Sequence, residues 1–218
     1  MFNILQPNKI LKRQEIDILN LVKANANDIS LYVYKRNSPV YGFMSFREEL
    51  KMKHYLGRLN NNELSSTYLI LAEHDNNLVG YILYHTSTHN PREVSIISAV
   101  VNVNHRKQGV LRLMMNVLKN NADSIALSCF VDLVPMYQKF GFMIGEQWET
   151  QVGMYFNYFD DLGNVITVNE EELYRSPMAR LALREFESTY SDYKALLDTL
   201  NLDTQKEIQR VSQYFVSL

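Results

Sequence analysis

The run Val100-Val101-Asn102-Val103-Asn104-His105-Arg106-Lys107-Gln108-Gly109-Val110-Leu111-Arg112-Leu113-Met114-Met115 carries the strongest structural signal in this chain. Its β-branched Val100, Val101 and Val103 suit a pleated, buried strand, and Asn104 breaks the run before a helical pattern opens near Arg106. A strand thus feeds a helix through a short basic loop. Gly109 lets the backbone come close to a ligand, and the loop leaves free N–H groups at the positive end of a helix dipole. Such an arrangement suits a phosphate.

A second segment follows at a fixed distance. Ser124–Phe130 reads as a strand and Leu133–Phe140 as a short helix, with Pro135 tolerated in its first turn and Gly141 ending it. The two segments together resemble the GNAT superfamily of acyl-CoA N-acyltransferases. Arg106-Lys107-Gln108-Gly109-Val110-Leu111 is similar to the Gln/Arg-x-x-Gly-x-Gly/Ala signature that grips the pyrophosphate of coenzyme A, with Leu111 in place of the final small residue. Tyr137-Gln138-Lys139-Phe140-Gly141-Phe142 is similar to the downstream Tyr-x-x-x-Gly-Phe segment. The resemblance spans roughly Asn8 to Phe159.

The resemblance implies acetyl-CoA as cosubstrate, bound at Val101, Val103, Arg106, Lys107, Gln108, Gly109, Val110 and Leu111, with the two valines offering backbone groups to pantetheine. It implies that Tyr137 protonates the departing sulfur. A phenol, with pKa about 10, is close enough to a thiol to hand over a proton as the thiolate leaves. An acid on the strand before the loop would take the amine proton, and Glu93 is the candidate, sharing a face with Ser95, Ile97 and Ala99 by period-two alternation. Asp132 and His85 are weaker candidates. Cys129 reads as a small buried hydrophobe; a thiolate there would attack a thioester, but no neighbouring cation or helix start in sequence lowers its pKa.

The composition is that of an ordinary globular protein, with 218 residues and a net charge of −2. That charge argues against a nucleic-acid partner. Residues 1–66 hold 10 Lys/Arg against 6 Asp/Glu, whereas residues 161–218 hold 6 against 10. The asymmetry would let head and tail pack, or two subunits pair as a homodimer. One cysteine excludes an intramolecular disulfide and a multi-Cys zinc cluster, and five histidines lack ligand spacing, so no metal is expected. No apolar run spans a bilayer and Met1–Lys12 lacks the layout of a signal peptide, so no membrane partner and a cytoplasmic location are expected.

Around this centre the pattern predicts a short strand at Asn8–Lys12 and a helix from Gln14 to Ala26, with Ile16, Leu19, Val22 and Ala26 on its apolar face. An aromatic loop, Asp28–Phe43, contains Tyr32, Tyr34 and Tyr41. Ser45-Phe46-Arg47-Glu48 has the form of a capping box, predicting a helix over 46–59 that Asn60-Asn61-Asn62 ends. Thr67–Glu73 and Leu78–Tyr84 form a hairpin turned at Asp75-Asn76-Asn77, and Glu93–Val103 is the next strand. Phe142–Gln147 and Gln151–Phe159 add two more. A turn at Asp160–Asn164 leads to a strand over 165–168.

From Pro177, apolar residues recur at helical spacing through Leu200, and Thr204-x-x-Glu207 has the form of a second capping box before Ile208, Val211 and Phe215. The fold class predicted is α/β: a mixed, mostly antiparallel GNAT-like sheet with helices on both faces, plus a C-terminal helical extension. Residues 1–160 would be the acyl-CoA N-acyltransferase domain and 161–218 a hairpin strand with the helical extension. The activity implied is transfer of an acetyl group to a primary amine by direct attack. The alternative is a catalytically weak or inactive GNAT-fold binding module acting through its C-terminal helices. An amine-bearing acceptor could be a small molecule, a protein or an aminoacyl-tRNA.

Overall fold

A computed structural model describes residues 1–59, 67–157 and 168–218. One seven-stranded sheet organises the chain, in the order β1-β2-β3-β4-β5-β7-β6. The strands are β1 (Asn3–Leu5), β2 (Thr67–His74), β3 (Asn77–Thr86), β4 (Glu93–Val101), β5 (Ser124–Cys129), β6 (Met143–Trp148) and β7 (Gln151–Phe156). Every pairing is antiparallel except β4 with β5. The β2–β3 turn is made by Asp75 and Asn76 at φ of 50° and 61°, a left-handed geometry that these short polar side chains tolerate and a two-residue hairpin requires.

Alternation along the hairpin sorts its side chains onto two cores. Leu69, Leu71, Tyr81 and Leu83 meet α1 (Lys12–Ala24) and α3 (Tyr41–Arg58), whereas Ile70, Ala72, Ile82 and Tyr84 meet α4 (Val110–Asn121). The helices therefore lie on both faces of a mixed sheet, as the pattern predicts. The expected strand at Asn8–Lys12 is absent: pairing with β2 occurs at Asn3–Leu5, and Lys12 already opens α1. Ile16 is exposed, because the face of α1 that meets the sheet carries Ile18, Leu21 and Val22.

The helix expected from Phe46 begins at Tyr41. Pro39 fixes its φ, the Ser38 carbonyl accepts the Tyr41 N–H at 3.0 Å, and Val40 is already helical at φ −74°, ψ −13°. Ser45 therefore lies inside the helix, where its hydroxyl donates to the Gly42 carbonyl instead of capping. Glu48 falls on the inward stripe with Met44, Met52 and Tyr55. The loop expected over Asp28–Phe43 is confined to the stretch between α2 (Ala26–Ile29) and α3, since residues 28–29 and 41–43 are helical.

The C-terminal helices are part of the packed structure. α6 (Glu170–Tyr174) precedes α7 (Pro177–Thr189), which starts at Ser176-Pro177 with the Ser176 hydroxyl accepting the Ala179 N–H at 3.3 Å. α8 (Tyr193–Val216) is continuous, so the second capping box does not exist. Thr204 bonds back to the Leu200 carbonyl at 2.8 Å and accepts the Val33 N–H at 3.2 Å, an interior helical position tied to the aromatic segment. Val211 is fully buried in the α4-side core, and Phe186 and Leu200 close a third cluster with Tyr34, Val40 and Met44. Arg210 holds Asp132 through two bonds of 2.5 and 3.1 Å, pinning α8 beside α5 (Val134–Gln138).

The expected ending at Asn60-Asn61-Asn62, the turn at Asp160–Asn164 and most of the strand over 165–168 lie outside the described residues. Among the described residues, no helix is long and apolar enough to cross a membrane.

Candidate active site

The parallel pair β4–β5 is bonded only at its start, in the register Glu93↔Ser124, Val94↔Ile125 and Ser95↔Ala126. Beyond Ser95 the strands part. The cause is visible on the other edge of β4, where Leu83 pairs with Ser98 and Tyr84 with Ile96, so Ile97 is an extra residue that bends the strand. This bulge also breaks the alternation expected along β4. Ile97 and Val100 join the α1/α3 core, whereas Ile96, Ala99 and Val101 pack towards α4, so Ala99 does not share the face of Ile97.

At one end of this gap stands the N-terminus of α4. Gly109 is its cap at φ +83°, a conformation that favours glycine, and Lys107 before it is also left-handed at φ +63°. The first helical bond runs from Leu113 N–H to the Gly109 carbonyl at 3.0 Å. The N–H groups of Gly109, Val110, Leu111 and Arg112 therefore make no hydrogen bond to any described residue. They form a donor cluster at the positive end of a twelve-residue helix. Gln108 steadies the loop by donating to the Asn104 carbonyl at 2.9 Å.

The other predicted cofactor residues divide. Val101 ends β4, where its carbonyl accepts Arg106 Nε at 3.1 Å. Val103 lies beyond the strand in a 3-10 turn over 103–105 and is exposed, a correction to the predicted strand end. Asn102 stops the strand because its side chain accepts the Asn104 N–H at 3.0 Å and turns the chain. The guanidinium of Arg106 bonds Asn25 at 2.7 Å and Asp28 at 2.9 Å, so it anchors the loop to the α1–α2 junction. Val110 is buried. Leu111 packs against the α4-side core, which directs its bulk inward.

Tyr137 sits on α5 in the same core, with its ring 5.7 Å from Phe142 and 6.4 Å from Phe140. Its hydroxyl bonds no described residue. Burial, and then the nearby Cys129, hold the phenol well above its ordinary pKa, so it carries its proton at neutral pH. Cys129, at the end of β5, lies 3.6 Å from the Met154 sulfur. Burial pushes its thiol up to about 12, which removes the thiolate a nucleophile would need.

Glu93 stands at the closed end of the gap, outside the cavity described next. Its carboxylate accepts Asn90 Nδ2 at 3.3 Å, and its N–H donates to the Asn90 carbonyl at 2.9 Å. Asp132 is held by Arg210, and His85 Nδ1 lies 3.1 Å from the Thr67 hydroxyl in the interior.

On the α3 side the gap opens into a cavity of about 560 Å³. Ser95–Ser98 of β4 and 126–128 of β5 form its floor, so it reaches between the two strands from both sides of the sheet. Across from them stand Glu48 and Lys51 of α3 and Glu170 of α6, with Glu146 and Trp148 from β6. Lys51 lies 3.2 Å from Glu48 and 2.7 Å from Glu170, and Glu170 also accepts the Tyr174 hydroxyl at 3.0 Å. Burial raises the Glu48 pKa even though Lys51 works against it. Burial alone would lower Lys51, but Glu48, Tyr174 and Glu170 outweigh it and keep the ammonium charged.

Glu48, Lys51 and Glu170 are absent from the sequence-based candidates. The capping-box reading of Ser45–Glu48 assigned Glu48 a local task, and Glu170 is 119 residues from Lys51. One signal was available: a carboxylate on the stripe of Met44, Met52 and Tyr55 breaks helical patterning.

The description "acetyltransferase (GNAT) family" belongs to the family model that matches residues 33–142. A search of the curated proteins finds no match. Among solved structures, the chain is similar to the PaiA N-acetyltransferase of Thermoplasma acidophilum in complex with coenzyme A. The TM-score is 0.56 at 12% identity, covering 72% of this chain and 99% of that one. It is also similar to a ribosomal-protein-alanine N-acetyltransferase from Brucella melitensis, with TM-score 0.51 at 12% identity over 71% of this chain and 98% of that one. At such identities the likeness concerns the fold. The match over half the sequence, the parted β4–β5 pair and the open N-terminus of α4 agree, and the chain belongs to the GNAT family of acetyltransferases.

Proposed function

We propose that this protein is an acetyl-CoA-dependent N-acetyltransferase in which a primary amine attacks the thioester directly. The observation that carries the reading is the set of N–H groups at Gly109–Arg112 that bond no described residue, set beside the gap between β4 and β5. These donors and the helix dipole suit the pyrophosphate of coenzyme A. Lys107 adds an exposed cation at the same loop. The gap then receives the pantetheine arm alongside β4 and delivers the thioester towards the cavity floor. Val101 offers its backbone to that arm.

Tyr137 supplies a proton to the sulfur as the C–S bond breaks; burial keeps that proton in place at neutral pH while making the phenol a weaker acid than a free one, so the transfer draws on the basicity of the departing thiolate. Attack is direct because the only thiol, Cys129, is kept neutral by burial. The oxyanion of the tetrahedral intermediate needs a donor. A backbone N–H on the bulged part of β4 is suited to it, since the bulge disrupts the ladder beside the gap. The test is thermal stabilisation by coenzyme A, followed by detection of an acetylated amine by mass spectrometry. A ligand at a hundred times its Kd should stabilise the fold by about 2.7 kcal/mol. No stabilisation at large excess would overturn the reading.

A further inference from the structure

We propose that the acceptor is a small cationic amine with an apolar body, which enters the cavity beneath α3 as an ammonium ion and loses its proton to Glu48. The inference rests on the acetyltransferase reading and adds the acceptor class and the base. Size is the first argument. A cavity of about 560 Å³, part of it the β4–β5 gap, falls within the range of small-molecule sites, roughly 300–1,000 Å³.

Charge is the second argument. Among the described lining residues the carboxylates of Glu48, Glu146 and Glu170 face one cation, Lys51, which already bridges two of them; Arg47, stacked on the Tyr174 ring behind the lining, also acts on Glu170, so one carboxylate remains in excess. A cationic guest offsets the excess. The walls supply the rest: Tyr55 and Tyr155 line the cavity, and Trp148 at its edge is 56% exposed, offering an aromatic face to an ammonium or an alkyl chain.

Position selects Glu48 over Glu93. Both carboxylates are hydrogen-bonded, but Glu48, only 5% exposed, lines the cavity whose floor is the Ile97 bulge, whereas Glu93 stands where β4 and β5 are still paired and does not line it. The groups that face Glu48 are Lys51 from its own helix, Ser30, whose side chain hydrogen-bonds it, Tyr34 from the aromatic segment, Tyr81 from β3, and Glu170 and Tyr174 from α6. Burial makes its carboxylate a stronger base than an exposed one, which suits proton transfer nearer neutral pH.

The step balances as follows. The ammonium gives one proton to Glu48, and the neutral nitrogen forms a C–N bond to the thioester carbonyl carbon. The tetrahedral intermediate collapses with cleavage of the C–S bond, and the sulfur takes a proton from Tyr137. The second nitrogen proton leaves as the amide forms and restores Tyr137 through solvent. The Glu48 proton is then released, so one proton appears per turnover.

The experiment uses the full chain with acetyl-CoA and three probes: 2-phenylethylamine, 1,4-diaminobutane and a hexapeptide with a free N-terminus. Thiol release and product mass are followed across pH, with coenzyme A stabilisation measured separately. At least one small amine should be acetylated and the hexapeptide should not. Glu48→Gln should lower kcat/KM about a hundredfold to ten-thousandfold and remove the acidic limb of the pH profile, with stabilisation by coenzyme A unchanged. Glu48→Asp should keep the limb at an intermediate rate, which separates loss of the base from loss of the fold. Transfer to the hexapeptide alone, transfer to no probe by a protein that binds coenzyme A, an acidic limb that survives in Glu48→Gln, or one lost in Glu93→Gln instead, each overturns the inference and leaves the cofactor reading standing. Absence of coenzyme A stabilisation removes both.

Discussion

The ammonium of Lys51 on α3 lies 2.7 Å from a carboxylate oxygen of Glu170 on α6, joining the second long helix of the sheet domain to the start of the C-terminal extension. Because Lys51 also holds the buried Glu48 at 3.2 Å, one cation neutralises parts of two distant segments. Lys51→Met should therefore destabilise the protein by about 3–5 kcal/mol, since it leaves buried carboxylate charge uncompensated. Adding Glu48→Gln should restore a large part of that loss. Denaturant unfolding of the two single variants and the pair measures the coupling; additive effects would mean that the two groups do not interact.

Gly109 owes its role to conformation. A Cβ built there meets nothing within 4 Å, yet φ is +83°. Gly109→Val should thus strain the cap rather than collide with a neighbour, turning the N–H groups of 109–112 away from a common centre. The expected outcome is loss of coenzyme A binding by at least tenfold in calorimetry, with the melting temperature lowered by only a few degrees. Unchanged affinity would remove this loop from the cofactor site.

Tyr137→Phe removes a hydroxyl that bonds no described residue and leaves the ring against Phe140 and Phe142. Cofactor affinity and melting temperature should stay close to those of the native protein. Turnover should fall by about a hundredfold to ten-thousandfold, the usual loss for a general acid. Full turnover in a well-folded Phe variant would make Tyr137 a packing residue.

Val211 tests how firmly the extension is docked. It is fully buried in the α4-side core, with Tyr214 and Phe215 packed beside it. Val211→Asp places an unpaired charge there and should release α8 from the sheet. Limited proteolysis should then remove the segment after about Thr189 early, while the native chain resists. Equal cleavage rates would mean that this contact does not hold the tail.

Local patterning was enough for much of the architecture. The β2–β3 hairpin, the strand-loop-helix at Val100–Met115 and the β5–α5 unit each draw their signal from residues close in sequence. Asp75-Asn76, Gly109 and Gly141 set backbone angles, and alternating or helical apolar spacing sets which face is buried. The same local signals led to two false capping boxes, since Ser45–Glu48 and Thr204–Glu207 match a motif whose meaning depends on where the helix actually begins. Pro39 and Tyr41 moved one start upstream, and the burial of Leu200 and Val211 along one surface made α8 continuous.

What only the tertiary structure decided is the cavity that we assign to the acceptor. Glu48, Lys51 and Glu170 meet because α3 and α6 cross the same opening, and the Ile97 bulge can be seen only once β3 and β4 are in register. The cofactor contacts we propose are consecutive backbone N–H groups, written in a few adjacent residues. The cavity is a convergence of side chains from distant elements, each ordinary in its own segment. Their chemistry arises from shared burial, which strengthens charge interactions and shifts proton affinities, and burial is a property of the assembled fold.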